Sequence, residues 1–590
     1  MPTYKAPVDD MLFLLRDVFH VEDVFAELPE QQGNDLDTIG TILEEAGKFC
    51  SDVLYPLNAP GDIEGCRLEN GVVRTPKGFA EAWKSFSEAG WGGLSASTEY
   101  GGQNLPRTVQ ILVDEMLSGS NLSFGLFPGL TRGACEAIEA HATEDLKNTY
   151  LPNMVAGVWT GAMALTEGNA GSDLGLLKTV ALPRPDGSWT VTGSKIFISS
   201  GDHDMVENVI HLVLARIPDA PAGTKGISLF LCPKFLINKD GSLGAPNNIS
   251  VGALEHKMGI HAQPTCVMNY DGCQGWLVGE VNRGLAAMFT MMNAERLFVG
   301  VQGLGVADAS CQTAVAYARE RLQGRSPNRA GTVPIIAHAD VRRTLLSMQS
   351  FIEAARALVV YTALEMDREK FHPDPAVRKT ATNSVALLTP VIKAALTDFG
   401  FEAAVNGQQV LGGHGYIREW GQEQYVRDAR IAMIYEGTNG IQAQDLVLRK
   451  LTLADGQPVT TFFSQIRETV RAAEKDSYAA ALASSLEDAL NRLEEVTTRL
   501  IAGDLSGIDD RNAAAVDYLR LFALVSFGWM WVRMVMACSV AEQSLSVEFV
   551  QHKRAVAAFF MEKILPQSAS LVQQIGAGAS SIMALSDEMF

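Results

Sequence analysis

The sequence predicts a mainly α-helical protein with a central β domain. Two observations predict it. Apolar residues recur near the 3.6-residue period along most of the chain, and between residues 159 and 280 that period gives way to short, partly alternating runs bounded by turn residues. At 590 residues, 47% of them hydrophobic, the chain is too long for one ordinary domain. The changes in texture divide it into a helical region 1–158, a β region 159–280, a helical region 281–452 and, past a polar break at 454–460, a helical appendage 461–590.

Residues 37–54 carry Ile39, Ile42, Leu43, Ala46, Phe49 and Cys50 at helical spacing. Glycine-rich loops follow at Gly90–Gly93 and at Gly101 and Gly102, and helix resumes over 109–117 and 134–149. The β runs are 176–182, 189–198, 209–217 and 226–235, with strand-like pieces over 251–278. Pro185, Asp186 and Gly187 join the first two as a hairpin. Helices are expected over 285–307, 308–323, 337–366, 376–403 and 442–450. In the appendage Leu482, Leu486, Leu490, Leu493, Val496 and Leu500 repeat at a spacing of 3–4, which marks a helix contact face. Residues 521–540 are apolar and long enough to cross a membrane, but Arg533 in their interior would cost about 3 kcal/mol there. A helix buried in the protein core is expected instead.

Charge and cysteine usage exclude several functions. The net charge of −20 and pI of about 5.0 argue against a nucleic-acid partner, which requires clustered cations. Residues 451–590 hold 11 basic and 17 acidic side chains, so the appendage is acidic as well. Cys50, Cys66, Cys135, Cys232, Cys266, Cys273, Cys311 and Cys538 form no C-x-x-C pair, and free thiols in a reducing compartment are expected. The first residues lack the basic and apolar regions of a secretory signal, so a soluble cytoplasmic protein is expected. There is no phosphate-loop or dinucleotide fingerprint, no H-E-x-x-H, no metal-ligand spacing among the histidines and no G-x-S-x-G elbow.

The stretch 434–442, reading IYEGTNGIQ, places Glu436 between an aromatic and a tight turn that opens a helix, where Thr438 or Asn439 can cap. Three further stretches are notable. Leu165-Thr166-Glu167 leads through Ser172 to Asp173, combining hydroxyls with small residues. Lys195-Ile196-Phe197-Ile198-Ser199 ends a strand with an aromatic and a hydroxyl. Arg319, Arg321 and Gln323 close a helix with cations, which suit its dipole. Taken singly, these read as a turn, a strand end and a helix cap.

Taken together, their wording and order resemble the acyl-CoA dehydrogenases over residues 90–450. Five segments match in sequence: LTE-x(3)-GSD, K-x-F-I-S, R-x-Q-G, the Gln409 to Gly413 segment Q-x-L-G-G, and the YEGT turn. The resemblance implies an N-terminal helical domain, a β-barrel or sandwich domain and a four-helix bundle, and the appendage places the chain among the long members. It implies FAD between the β domain and the bundle. Thr166 and Ser199 would bond the flavin ring with Phe197 beside it; Arg321, Gln323, Gln409 and Gly413 would hold the FAD of a partner subunit, and Thr438 the phosphates. Ser172, Asn293 and Arg296 would line the CoA path, Tyr435 and Gly437 would adjoin the substrate, and Glu436 would be the base. The implied reaction is α,β-dehydrogenation of an acyl-CoA to the trans-2-enoyl-CoA. The acyl group would be short or medium, with 3-methylthiopropionyl-CoA the first expectation, and an electron-transferring flavoprotein would take the electrons. Sharing of FAD contacts implies a homo-oligomer, here a dimer because the appendage would cover a surface that shorter members use to form tetramers.

The chain departs from the pattern at Gly168, where proline is usual, at Phe197, where tryptophan is commoner, and at Gly440, where many members carry glutamine. Glu295 stands where some branches keep their catalytic acid; here it is expected to be an ion-pair partner or a neighbour of the base. An oxygen-using acyl-CoA oxidase is the same-fold alternative. A DNA-binding flavoprotein is a second alternative, disfavoured by the acidic appendage.

Overall fold

The β-rich middle of the chain folds into one seven-stranded sheet: β1 (Trp159–Ala164), β2 (Val180–Pro183), β3 (Trp189–Ser199), β4 (Asn208–Arg216), β5 (Ile227–Pro233), β6 (Ile249–Leu254) and β7 (Thr265–Val278). The structure is a computed structural model that describes residues 4–327 and 329–590. The strand order is β6-β7-β3-β2-β4-β1, and β5 pairs with both β7 and β4, so that five strands close into a barrel-like ring. The expected hairpin joins β2 and β3, with Arg184 N–H donating to the Ser188 carbonyl at 2.8 Å and Gly187 at φ +83°. Strand β1, parallel to β4, was not expected as a strand. Every one of its residues is buried, so it shows no alternation, and Gly161 lets a helix approach so closely that a Cβ there would lie 2.5 Å from Ala134.

The chain divides into two compact units. The first comprises Lys48–Leu105 and Ser120–Phe298, and contains the sheet. The second comprises Met1–Gly47, Pro106–Gly119 and Val299–Phe590, and its regular elements among the described residues are helices apart from one small hairpin. Helix α1 (Arg107–His141) departs from helical geometry at Asn121, at φ −160° and ψ 91°. The Asn121 side chain accepts from the Phe124 N–H at 3.1 Å and so caps the second half. That second half runs on through Pro128 to His141.

In the helical unit, α2 (Gly284–Glu320), α3 (Ala339–Phe371), α4 (Pro375–Leu411) and α5 (Gln422–Ala432) supply the bundle, α2 from Val299 onward. Asp374 caps α4 by accepting from the Ala376 N–H at 2.8 Å, and Pro375 takes the first helical position, where its missing donor costs nothing. α2 and α4 cross backbone to backbone at Gly303 and Gly400, where a Cβ on either would meet carbonyl oxygen at 2.5 Å. The expected helix end at 321–324 is corrected: α2 stops at Glu320, and the chain turns into a hairpin, β8 (Leu322–Ser326) with β9 (Arg329–Pro334). Beyond the bundle lie α6 (Asn439–Asp445), α7 (Gln457–Ala473), α8 (Ala479–Ala502), α9 (Ile508–Val540) and α10 (Val547–Phe559). Leu486, Leu490, Leu493, Val496 and Leu500 are all buried along α8.

The apolar helix α9 is a core helix. Trp531 donates to the Ser350 carbonyl at 3.0 Å and Trp529 to the Thr469 hydroxyl at 2.8 Å. Arg533 is enclosed by the rings of Phe19, Trp529 and Tyr361, with centroids 4.5, 5.6 and 5.9 Å from its guanidinium carbon. Those faces, with the Val18 carbonyl at 3.4 Å, give a buried cation partners that a lipid tail lacks.

The sheet buries two neutral histidines. His203 meets the Thr160 hydroxyl at 3.0 Å and His211 the Tyr270 hydroxyl at 2.8 Å, and burial holds both well below the ordinary histidine range, at about 3. The unfolded chain takes up two protons below pH 6.5 that the folded sheet refuses, so stability falls as pH drops through 6.5. The expected slope is about 1.4 kcal/mol per pH unit for each histidine. Urea unfolding between pH 6.5 and 5 checks it, and His211→Gln should remove about half of the slope attributable to the pair.

Candidate functional site

In the helical unit the candidate base sits on a strained turn. Glu436 is half-buried with φ +55°, a left-handed conformation costing a non-glycine residue about 1–3 kcal/mol, and Gly437 follows at φ +85°. Such a geometry persists only where the surroundings impose it. Gln442, buried on α6, donates from its amide to the carbonyls of Glu436 at 3.3 Å and Gly437 at 3.4 Å. The Asn439 N–H reaches back across the turn to the Met433 carbonyl at 3.1 Å. The Tyr435 hydroxyl bonds the side chain of Gln302. Thr438 is the cap of α6, accepting from the Ile441 N–H at 3.3 Å, which decides between the two candidate caps.

Asn439 instead turns its side chain toward α4. Its amide nitrogen donates to Asp398 at 2.6 Å, to the Thr397 hydroxyl at 2.9 Å and to the Ala394 carbonyl at 3.2 Å, and its amide oxygen accepts from the Lys393 ammonium at 2.8 Å. Lys393 is fully buried. Burial pushes the Asp398 carboxyl above the ordinary range, against the pull of the Asn439 hydrogen bond.

In the sheet unit the other two motifs are fastened together by a buried ion pair. Lys195, fully buried on β3, donates to Glu167 and to the Leu165 carbonyl, both at 2.9 Å. Glu167 also accepts from the Thr179 hydroxyl at 2.6 Å, the Thr179 N–H at 3.0 Å and the Lys178 N–H at 2.6 Å. Burial pulls the Lys195 ammonium down to about 8. Burial alone would raise Glu167, but Lys195, Thr179 and the Lys178 N–H together hold it below the usual carboxylate range. The Thr166 carbonyl accepts from the Ile196 N–H at 2.9 Å, so residues 165–167 lie alongside the end of β3.

That strand end is bulged. Between the pairs Lys195–Met268 and Ile198–Cys266, two residues of β3 face one of β7, and Phe197 takes φ +60°. Its ring is thereby thrown outward, 59% exposed, with the half-buried Ser199 two residues on. A planar aromatic ligand with a hydrogen-bonding edge suits this surface, which costs the chain both backbone strain and an exposed apolar ring. These residues fit a flavin ring.

The remaining candidates fall in three places. Ser172 is exposed on the loop after Glu167. Asn293 is exposed and Arg296 half-buried on α2, the latter 5.9 Å from the ring of Phe289, while Glu295 between them is only 3% exposed. Arg321 and Gln323 are exposed at the start of the hairpin, and Gln409 and Gly413 are exposed at the end of α4. Exposed apolar residues flank these positions in the chain: Tyr416, 82% exposed, follows Gly413, and Leu322 lies between Arg321 and Gln323. Sequence reasoning missed Lys195, Lys393 and Asn439 as determinants of the site; a lysine inside an apolar run was the one signal available. Among the described residues no group of side chains fits a metal ion.

Profiles of the acyl-CoA dehydrogenase N-terminal, middle and C-terminal domains match residues 40–158, 162–273 and 282–451, and an acetyl-CoA dehydrogenase C-terminal-like profile matches 462–586. The chain is 39% identical to a 3-methylmercaptopropionyl-CoA dehydrogenase of Ruegeria pomeroyi, over 99% of this chain and 100% of that protein. It is 34% identical to a butyryl-CoA dehydrogenase of Syntrophomonas wolfei over 94% of each. A Bacillus anthracis acyl-CoA dehydrogenase complexed with FAD shares the fold, with a TM-score of 0.73 and 21% identity over 96% of this chain and 91% of that one.

Removing one partner of a buried pair leaves the other charged and dehydrated, at a cost of about 3–5 kcal/mol. Glu167→Ala should lower the free energy of unfolding of the sheet unit by that order, read by urea denaturation. A loss below about 1 kcal/mol would place the pair among surface bridges instead.

Proposed function

The chain belongs to the acyl-CoA dehydrogenase family, and from that premise we propose that Glu436 is the base that removes the α-proton of the acyl-CoA thioester. The protein is an FAD-dependent dehydrogenase that converts an acyl-CoA to its enoyl-CoA. The observation that carries the base assignment is the turn itself: a carboxylate on a left-handed residue whose carbonyl, with that of Gly437, accepts from the buried Gln442 side chain.

An α-proton of a thioester is far too weak an acid for a carboxylate in water. In this reading the Glu436 backbone N–H donates to the thioester oxygen, a bond that strengthens as enolate charge develops; one such donor contributes about 3–4 kcal/mol. Exclusion of water by the bound substrate raises the basicity of the carboxylate. FAD, when bound, supplies the hydride acceptor. Thr166 and Ser199 bond the flavin edge beside Phe197, and Thr438, Arg321, Gln323, Gln409 and Gly413 hold its phosphates and adenosine, the last four across a subunit boundary. Ser172, Asn293 and Arg296 guide the CoA arm, with Tyr435 and Gly437 next to the acyl group.

For the substrate we propose 3-methylthiopropionyl-CoA or another short straight acyl-CoA, supported by the relatives named above. Electrons pass to an electron-transferring flavoprotein in the cytoplasm. The protein is a dimer; exposed Tyr416, Ile417, Trp420 and Leu322 beside the cofactor residues support this. Glu436→Gln should retain FAD and lose activity by about 10²–10⁴-fold, whereas Glu295→Gln should stay active. The reverse pattern would move the base to residue 295. Steady-state rates across acyl chain lengths, with 3-methylthiopropionyl-CoA included, test the substrate; peroxide release with no transfer to the flavoprotein would make the enzyme an oxidase.

A further inference from the structure

We propose that Asn439 is a positioning residue for the base: its side-chain amide bridges Lys393 and Asp398, and this bridge fixes the turn that aims the Glu436 carboxylate. The inference rests on the reading of Glu436 as the base and adds the means by which it is held.

Residue 439 is the first of α6, and its cap role is already filled by Thr438. The Asn439 side chain is therefore not needed for the helix, and it points the other way, into α4. There it uses both halves of the amide. The oxygen accepts from an ammonium that has no solvent contact, and the nitrogen donates to a carboxylate, a hydroxyl and a backbone carbonyl. Only an amide of this length supplies an acceptor and donors together: aspartate lacks the donors, serine lacks the reach, and glutamine is one carbon too long. The dipole of the amide lies along the field between Lys393 and Asp398, which makes the orientation strongly preferred.

The backbone of the same residue ties the turn. The Asn439 N–H bonds the Met433 carbonyl at 3.1 Å, closing residues 433–439 into a loop with Glu436 at its apex. One residue thus anchors the loop to α4 through its side chain and closes it through its main chain. Glu436 is left-handed at φ +55° and relaxes toward ordinary backbone once the anchor is lost. Relaxation swings the carboxylate off its line to the α-carbon while leaving the CoA contacts and the sheet residues untouched.

The test compares Asn439→Ala and Asn439→Asp holoenzymes with wild type. The aspartate variant keeps the volume and the contact to Lys393, and so serves where the alanine variant does not fold. Both should keep bound FAD and an unchanged KM, while kcat falls by about 30–100-fold. The kinetic isotope effect with α-deuterated acyl-CoA should rise as proton removal becomes limiting, and a crystal structure should show residue 436 leaving positive φ. In a Glu436→Gln background, adding Asn439→Asp should change the residual rate by less than about twofold, because the group it positions is already gone. A kcat within about twofold of wild type, or a loss of kcat that tracks loss of FAD, overturns the proposal. If Glu436→Gln alone stays fully active, the base assignment fails and this inference falls with it. If Glu436→Gln is inactive and the Asn439 variants are not, only the inference fails.

Discussion

Taking an ammonium group out of water costs several kcal/mol unless acceptors come to it, and this chain uses that demand to place its chemistry. Lys195 and Lys393 have no solvent contact. Each is met by a segment distant in sequence: Lys195 by Leu165 and Glu167, Lys393 by Asn439. Those partners belong to the segments that carry the expected flavin contacts and the expected base. In each unit, therefore, a buried lysine selects the position of a loop that carries expected site residues. Hydrophobic packing alone would leave the loop free to slide, because apolar contacts are non-directional. A buried ammonium instead requires acceptors within hydrogen-bond reach, and that admits few positions of the loop that supplies them.

A similar demand makes the appendage integral to the helical unit. Arg356 on α3 meets Glu115 at 2.6 and 2.9 Å, Asp308 at 3.5 Å, and Asp10 near the N-terminus. Lys553 on α10 meets Glu353 of α3 at 2.7 Å and the same Asp10. One carboxylate therefore joins a cation of the bundle to a cation of the appendage. Arg533 adds the rings of Phe19 near the N-terminus, Tyr361 of α3 and Trp529 of α9 itself. Deleting the appendage would take Lys553 from both Asp10 and Glu353, so the region is not an independent module hung on the surface.

Much of this was legible in the sequence, and the failures share a cause. Helical, β and helical texture follow from local periodicity, and the Pro185–Gly187 turn and the core nature of α9 follow from a few residues each. The YEGT turn was visible because its residues are adjacent. What was missed depends on partners brought together by folding. Strand β1 is buried on both faces and so carries no alternation. The hairpin after Glu320 shows no periodicity long enough to count and was absorbed into the preceding helix. Lys195 and Glu167 are 28 positions apart, Lys393 and Asn439 46 apart. No local rule connects them, and only a desolvated lysine in an apolar run hints that a partner must exist.

The two carboxylates that compete for the role of base differ in what each could do. Glu295 is only 3% exposed, packed where Gly133 has no side chain; a Cβ there would lie 2.8 Å from its carboxylate oxygen. A group so enclosed suits a fixed charge in the interior better than a proton acceptor that must meet a ligand and later return its proton. Glu436 is half-buried at the apex of a turn, and the strain of that turn is opposed by Gln442, Tyr435 and Asn439. Strain of this kind gives no stability, so a chain that maintains it with buried polar side chains gains something else. What the left-handed backbone achieves is direction. At ordinary φ the side chain of residue 436 would follow a different line, and the bonds converging on its turn would have no reason to be there.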